Sequence, residues 1–153
     1  MEDGQSWDEI VSLATEVEQA GATIINTGVG WHEARVPTIV TSVPNAAFVD
    51  ISSALAEHVG IPVVASNRIN MPQAAEQILA ETQVQLISMA RPLLSDPDWV
   101  VKAARDSAEE INTCIACNQA CLDHTFGGKI TSCLVNPRAC HETLLVSKPL
   151  AQK

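Results

Sequence analysis

The chain has 153 residues, 46% of them hydrophobic, which is enough apolar material for one modest core and argues against disorder. Eighteen acids against nine bases give a net charge of −9, and this excludes nucleic acid and anionic membrane surfaces as partners, because neutralising phosphate needs clustered Lys and Arg. The N-terminal stretch MEDGQSWDEI is acidic and polar, and no apolar run reaches the roughly 18 residues that span a bilayer, so a cytoplasmic protein with reduced thiols is expected.

Ser6 followed by Glu9 has the form of a capping box. Trp7, Ile10, Val11, Ala14 and Val17 follow mostly at helical spacing until Gly21, which predicts a helix over 7–20. The next run, ATIINT over 22–27, is short, apolar and partly β-branched, as suits a parallel strand buried on both faces. Beyond a loop over 28–45, Phe48, Ile51, Leu55 and Val59 step by three and four to Gly60 and predict a second helix, and IPVVAS (61–66) a second buried strand. Pro72 fits the first position of a third helix carrying Ala75, Ile78 and Leu79, and VQLISMA (84–90) a third strand. Asp96 and Pro97 then open another helix, with Trp99, Val100 and Ala104 expected on its buried side.

Strands alternating with helices are βα units, the pattern of an α/β fold. Three strands cannot close a barrel, and left open they would expose two long edges and an apolar face, so the chain reads as part of a larger sheet. Past Glu109 the alternation stops, and the remaining residues hold all five cysteines.

Four of these, Cys114, Cys117, Cys121 and Cys133, are separated by two, three and eleven residues, which in a reducing compartment is metal-ligand spacing and not a disulfide framework. Zinc takes four thiolates tetrahedrally, usually from two separated pairs. Three close cysteines with one remote partner suit the four iron corners of a [4Fe–4S] cubane better, and on spacing alone both readings stand. Cys140 reads as a spare buried thiol.

His32 in GWHEAR, Arg68 in SNRIN and Arg91 in MARP fall at the C-terminal ends of three successive strands, where βα-barrels carry their chemistry. Two arginines at the same relative place suit an anion such as the phosphate or the reduced ring of a nucleotide. Gly28 and Gly30 lack the third glycine of a dinucleotide fingerprint and read as turn residues.

Taken together, INTGVGWHEARVPTI, SNRIN, SMARPLL, NTCIACNQACLD and TSCLVNPRACHE resemble the bacterial NADPH-dependent 2,4-dienoyl-CoA reductases, within the Old Yellow Enzyme-like flavin and iron–sulfur oxidoreductases, over nearly the whole chain. The resemblance implies an α/β fold, the C-terminal portion of a TIM (β/α)8 barrel covering about strands six to eight, followed by an iron–sulfur loop segment. Residues 1–108 would be the partial FMN-binding barrel, 109–147 the [4Fe–4S] segment, and 148–153 the start of a linker to a missing FAD and NADPH domain. The resemblance further implies that Cys114, Cys117, Cys121 and Cys133 ligate [4Fe–4S], and that Arg68, Ala90 and Arg91 contact FMN. By the same resemblance His32 is the catalytic residue assisting protonation, and His32, Glu33, Ala34 and Arg35 line the pocket for a 2,4-dienoyl-CoA thioester of unsaturated fatty-acid β-oxidation. In such reductases electrons pass from NADPH through FAD and the cluster to FMN. The family's tyrosine partner of the histidine, its first barrel strands and its FAD and NADPH domains have no counterpart here, so a fragment inactive by itself is expected. The alternative is a stand-alone cysteine-ligated metal or electron-transfer module, for which the thiols would suffice.

Overall fold

A computed structural model describes residues 4–148. The chain divides into two compact units, Met1–Ala90 and Arg91–Lys153. The expected linker over 148–153 lies, apart from Lys148, outside the described residues.

The first unit opens with α1, Trp7–Gln19, and its start is the capping box legible in the sequence. The Ser6 hydroxyl accepts the Glu9 N–H at 3.3 Å while the Glu9 carboxylate accepts the Ser6 N–H at 2.8 Å, so two otherwise orphaned donors are satisfied. Past its C-cap Ala20 comes Gly21, whose φ of +101° carries no steric cost in the absence of a Cβ.

Three short strands follow, β1 (Ile25–Asn26), β2 (Val63–Ala65) and β3 (Leu86–Ile87), parallel and in the order β1-β2-β3. Ile25 is in register with Val63, and Val64 with Leu86. Parallel neighbours need a crossover, and these are supplied by α2 (Val49–Ala56) and α3 (Pro72–Glu81), the latter beginning on the expected proline. Two consecutive βαβ units are thus present, and the unit is α/β.

Burial on both faces holds for β2 alone, where Val63 and Ala65 are fully inaccessible. The flanking strands depart from that expectation: Ile24, next to β1, is 48% exposed and Leu86 in β3 43%. β1 and β3 are the edges of the three-stranded sheet, and an edge strand has a strand neighbour on one side only. The strand ladders are also shorter than the apolar runs, because pairing needs a partner at every position and not only a β-forming residue. Between sheet and helix lie Phe48, Val49 and Leu55, with Ser52 fully buried and its hydroxyl 2.8 Å from the Thr27 hydroxyl. Side chains also lace the C-terminal ends of β1 and β2: Thr27 Oγ1 donates to the Val64 carbonyl at 2.7 Å, and Asn67 Nδ2 to the Val29 carbonyl at 2.7 Å.

The second unit contains α4 (Arg91–Ser95), α5 (Trp99–Ala104), a 3-10 turn at Ala108–Glu110 and α6 (Leu122–Phe126). Trp99 is buried as expected, but Val100 is 59% exposed and Ala104 is exposed as well. Successive helical residues are rotated by about 100°, so in a six-residue helix anchored by one indole the next position turns outward. Among the described residues no helix is long and apolar enough to cross a membrane.

Replacing Val63 by Ala removes two buried methyl groups at the centre of the sheet and should lower the unfolding free energy by about 2 kcal/mol. Urea denaturation followed by circular dichroism measures this, and an unchanged midpoint would show that β2 is not the core.

Candidate functional site

The cysteine segment is held at both ends by one corner of the second unit, the turn between α4 and α5. Ser95 closes α4 by donating its hydroxyl to the Pro92 carbonyl at 2.9 Å. Asp96, 3% exposed, accepts the Asp98 N–H at 3.0 Å, the Lys102 ammonium at 2.6 Å and the Asn112 N–H at 2.7 Å. Lys102 reaches on to the Glu110 carbonyl at 2.9 Å. Burial by itself would raise the Asp96 pKa. The hydrogen bonds from Lys102, Asn112 and Asp98, with the Lys102 charge, outweigh burial and hold it below the usual aspartate value.

Two asparagine side chains complete the anchorage. Asn112, two residues before Cys114, donates through Nδ2 to the Ser95 carbonyl at 3.0 Å and to the Val135 carbonyl. Asn136, three residues after Cys133, donates to the Leu94 carbonyl at 3.0 Å. The way into the thiol loop and the way out of it are therefore fixed to the same corner.

Within the loop, Ala116 and Asn118 adopt left-handed backbone (φ +53° and +63°), which a small residue and an asparagine accept at least cost. The Ser132 N–H donates to the Ala120 carbonyl at 2.7 Å and joins the two limbs beside Cys121 and Cys133. His124 Nδ1 lies 3.0 Å from the Ile130 carbonyl. A carbonyl only accepts, so Nδ1 carries the proton, and in the neutral ring Nε2 is left as an acceptor. The imidazole thus braces the loop.

This scaffold brings Cys114, Cys117, Cys121 and Cys133 around one pocket, with Arg91, Leu94 and Ala116 among its walls and about 300 Å3 of space including its open mouth. Arg91 Nη1 donates to Asn118 Oδ1 at 2.6 Å. The Cys121 thiol is pushed up from its ordinary pKa by burial and by the neighbouring Cys114 and Cys117, against the Leu122 N–H and the Arg91 charge, which lower it. None of the four is in a disulfide. Among the described residues no three His, Cys, Asp or Glu side chains are grouped to hold a single metal ion. The donor set is nevertheless coherent: four soft thiols, no carboxylate lining the pocket and a guanidinium in its wall fit a thiolate-ligated group of net negative charge. Cys140 is exposed and not buried as its spare role suggested, and it lies outside this pocket.

The other residues singled out from sequence are placed as follows. His32, Glu33 and Arg35 are exposed and Ala34 is half-buried, all on the loop after β1. Arg68 follows β2 with φ +56°, and its guanidinium donates to the Val43 carbonyl at 2.9 Å and to Asn45 Oδ1 at 3.2 Å. Ala90 is exposed, and Arg91 begins α4. The four thiols and Arg91 share one pocket; His32 to Arg35 share one loop. Sequence reasoning missed Asp96, Asn112 and Asn136 as supports of the thiol loop. The signal available was two asparagines flanking the outer cysteines at short distance.

A sequence profile described as the NADH:flavin oxidoreductase / NADH oxidase family matches residues 1–110. A metal reductase of Desulforamulus reducens is 45% identical over 136 residues, covering 89% of this chain and 20% of that protein. An NADH oxidase of Thermoanaerobacter brockii is 30% identical over 145 residues, 93% of this chain and 22% of that protein. Among solved structures, a 2-naphthoyl-CoA reductase in complex with 2-naphthoyl-CoA superimposes with a TM-score of 0.91 at 28% identity, over 100% of this chain and 24% of that one. The chain spans about a fifth of the length of the curated relatives it matches.

Asp96→Ala strands two backbone N–H groups and a lysine, and should lower stability by about 3 kcal/mol near neutral pH. Because the folded pKa is depressed, the carboxylate's contribution is present above about pH 4 and is lost as pH falls through the lower folded value. The stability gap between wild type and variant, measured by urea titration from neutral to acid pH, should therefore close in acid; a constant gap would assign the loss to packing instead of charge.

Proposed function

The chain belongs to the NADH:flavin oxidoreductase / NADH oxidase family, and on that premise we propose that it is the portion of a longer flavin and iron–sulfur reductase that carries the cluster ligands and part of the FMN site. The observation that carries this reading is the set of four thiols around one pocket with Arg91 in its wall. In the proposal Cys114, Cys117, Cys121 and Cys133 each hold one iron corner of a [4Fe–4S] cluster, and Arg91 offsets its negative charge. Arg68, oriented by Val43 and Asn45, and Ala90 and Arg91 are the proposed FMN contacts.

When bound, the cluster would supply single electrons and FMN a hydride equivalent to a conjugated acyl thioester. His32 holds and delivers the proton at its imidazole, with Glu33, Ala34 and Arg35 lining the same pocket. The substrate class we propose is a CoA thioester, and within it a 2,4-dienoyl-CoA reduced at the expense of NADPH by way of FAD in the rest of the protein. The sequence motifs support it, and so does the likeness to a solved reductase bound to a CoA thioester. The proposed placement of the sheet is about strands six to eight of a TIM barrel, which the parallel order with helical crossovers supports.

A second reading, an electron-transfer or metal-binding module independent of flavin, is favoured by one observation: the four thiols, Arg91 and the Asp96 anchorage all belong to the second unit. Adding FMN to the anaerobic protein tests the reductase reading. Quenching of flavin fluorescence that weakens in Arg68→Ala supports that reading, whereas no binding fits either the module or a half-site.

Anaerobic reconstitution should give about four irons and four sulfides per chain and a broad visible band that bleaches with dithionite. Serine at any one of the four ligand positions should lower the iron content, whereas Cys140→Ser should leave it unchanged. One equivalent of zinc without sulfide would overturn the cluster assignment.

A further inference from the structure

Of the three tryptophans, Trp31 is the most exposed, at 58%. Its indole stacks on the His32 imidazole, with ring centroids 6.0 Å apart and planes inclined by 22°. A large aromatic left facing water forgoes a substantial hydrophobic gain, so the reason for its position has to lie in its surroundings.

Those surroundings are tightly built. The residue two before Trp31 is tied to the end of β2 by the Asn67 amide on the Val29 carbonyl. Gly30 has φ +81°, and a Cβ there would come 2.6 Å from Cγ2 of the buried Thr38, so a larger residue would be strained and would have to displace that side chain. The Ala34 N–H donates to the Trp31 carbonyl at 3.3 Å and closes the turn that carries His32. The backbone thus sends the indole outward as a consequence of packing on either side.

We propose that Trp31 is a specificity residue: its exposed face receives the planar, conjugated acyl part of an unsaturated CoA thioester, and its contact with the imidazole positions His32 beside that group. This rests on the reading of the His32 loop as the substrate pocket. A flat conjugated system offers an indole a matching π-face and has little rotational freedom to lose. A saturated chain of equal carbon number offers no such face and must be ordered. Stacking of this kind distinguishes the two by roughly three- to tenfold in affinity.

The test titrates the 153-residue chain with 2,4-hexadienoyl-CoA and with hexanoyl-CoA, following tryptophan fluorescence and calorimetric heat. The dienoyl ester should bind roughly three- to tenfold more tightly. Trp31→Leu should abolish the preference without moving the urea midpoint, since the indole is exposed, and Trp31→Phe should retain part of it. In the proton spectrum the His32 ring resonances should shift in Trp31→Leu as the indole ring current is lost. Equal affinity for the two esters, binding of neither, a preference that survives in Trp31→Leu, or unmoved His32 resonances would each overturn the proposal. The titration needs no metal or flavin. A failed iron and sulfide analysis therefore leaves this result standing, and a failed titration leaves the cluster assignment standing.

Discussion

The Asp96 carboxylate is the constraint on which the cysteine segment depends. A buried carboxylate is costly unless its lone pairs are filled, and here two backbone N–H groups and an ammonium fill them. One of those N–H groups belongs to Asn112, at the entrance to the thiol loop, so the same bond that satisfies the charge sets where the loop begins. Asn112 and Asn136 then use side-chain amides to bind carbonyls at the C-terminal end of α4, groups that a helix cannot satisfy internally. Charge burial, helix termination and ligand placement are thereby one problem with one solution.

Holding four thiols together carries its own cost. Burial disfavours ionisation of Cys121, as do Cys114 and Cys117 beside it, while the Leu122 N–H and the Arg91 charge oppose this. A group that binds these side chains as thiolates has to displace their protons, so proton release would accompany its binding. Left-handed backbone at Ala116 and Asn118 belongs to the same account, since a loop tight enough to bring Cys114, Cys117 and Cys121 to one pocket leaves no room for ordinary extended backbone throughout.

In the first unit the corresponding constraint is the parallel sheet. Its central strand supplies the most deeply buried residues, and polar side chains from Thr27 and Asn67 fix the loops leaving the C-terminal ends. Arg68 follows β2 in left-handed backbone and is oriented by the Val43 carbonyl and the Asn45 amide. The Trp31–His32 pair follows β1 by way of Gly30, where a Cβ would be strained and would press on Thr38. Residues of chemical interest thus stand where a strand has just ended and the backbone is free of ladder bonds.

The sequence by itself determined the alternation of three apolar runs with amphipathic helices, the capping box at Ser6 and Glu9, the proline start of α3, and the identity and spacing of four cysteines. These are local properties, fixed by side-chain periodicity, backbone preference and ligand count. Which strand would be buried could not be read from them, because ATIINT, IPVVAS and VQLISMA are similarly apolar and only the sheet order puts Val63 between neighbours. Nor could the outward turn of Val100, the exposure of Cys140 or the anchoring role of Asp96 be read there. Asp96 looked like a helix opener, and it became the anchor of the cysteine loop because tertiary packing placed the Asn112 N–H, sixteen residues away in sequence, 2.7 Å from its carboxylate. Contacts between distant residues depend on the path of the whole chain, and that path was decided only when the fold formed.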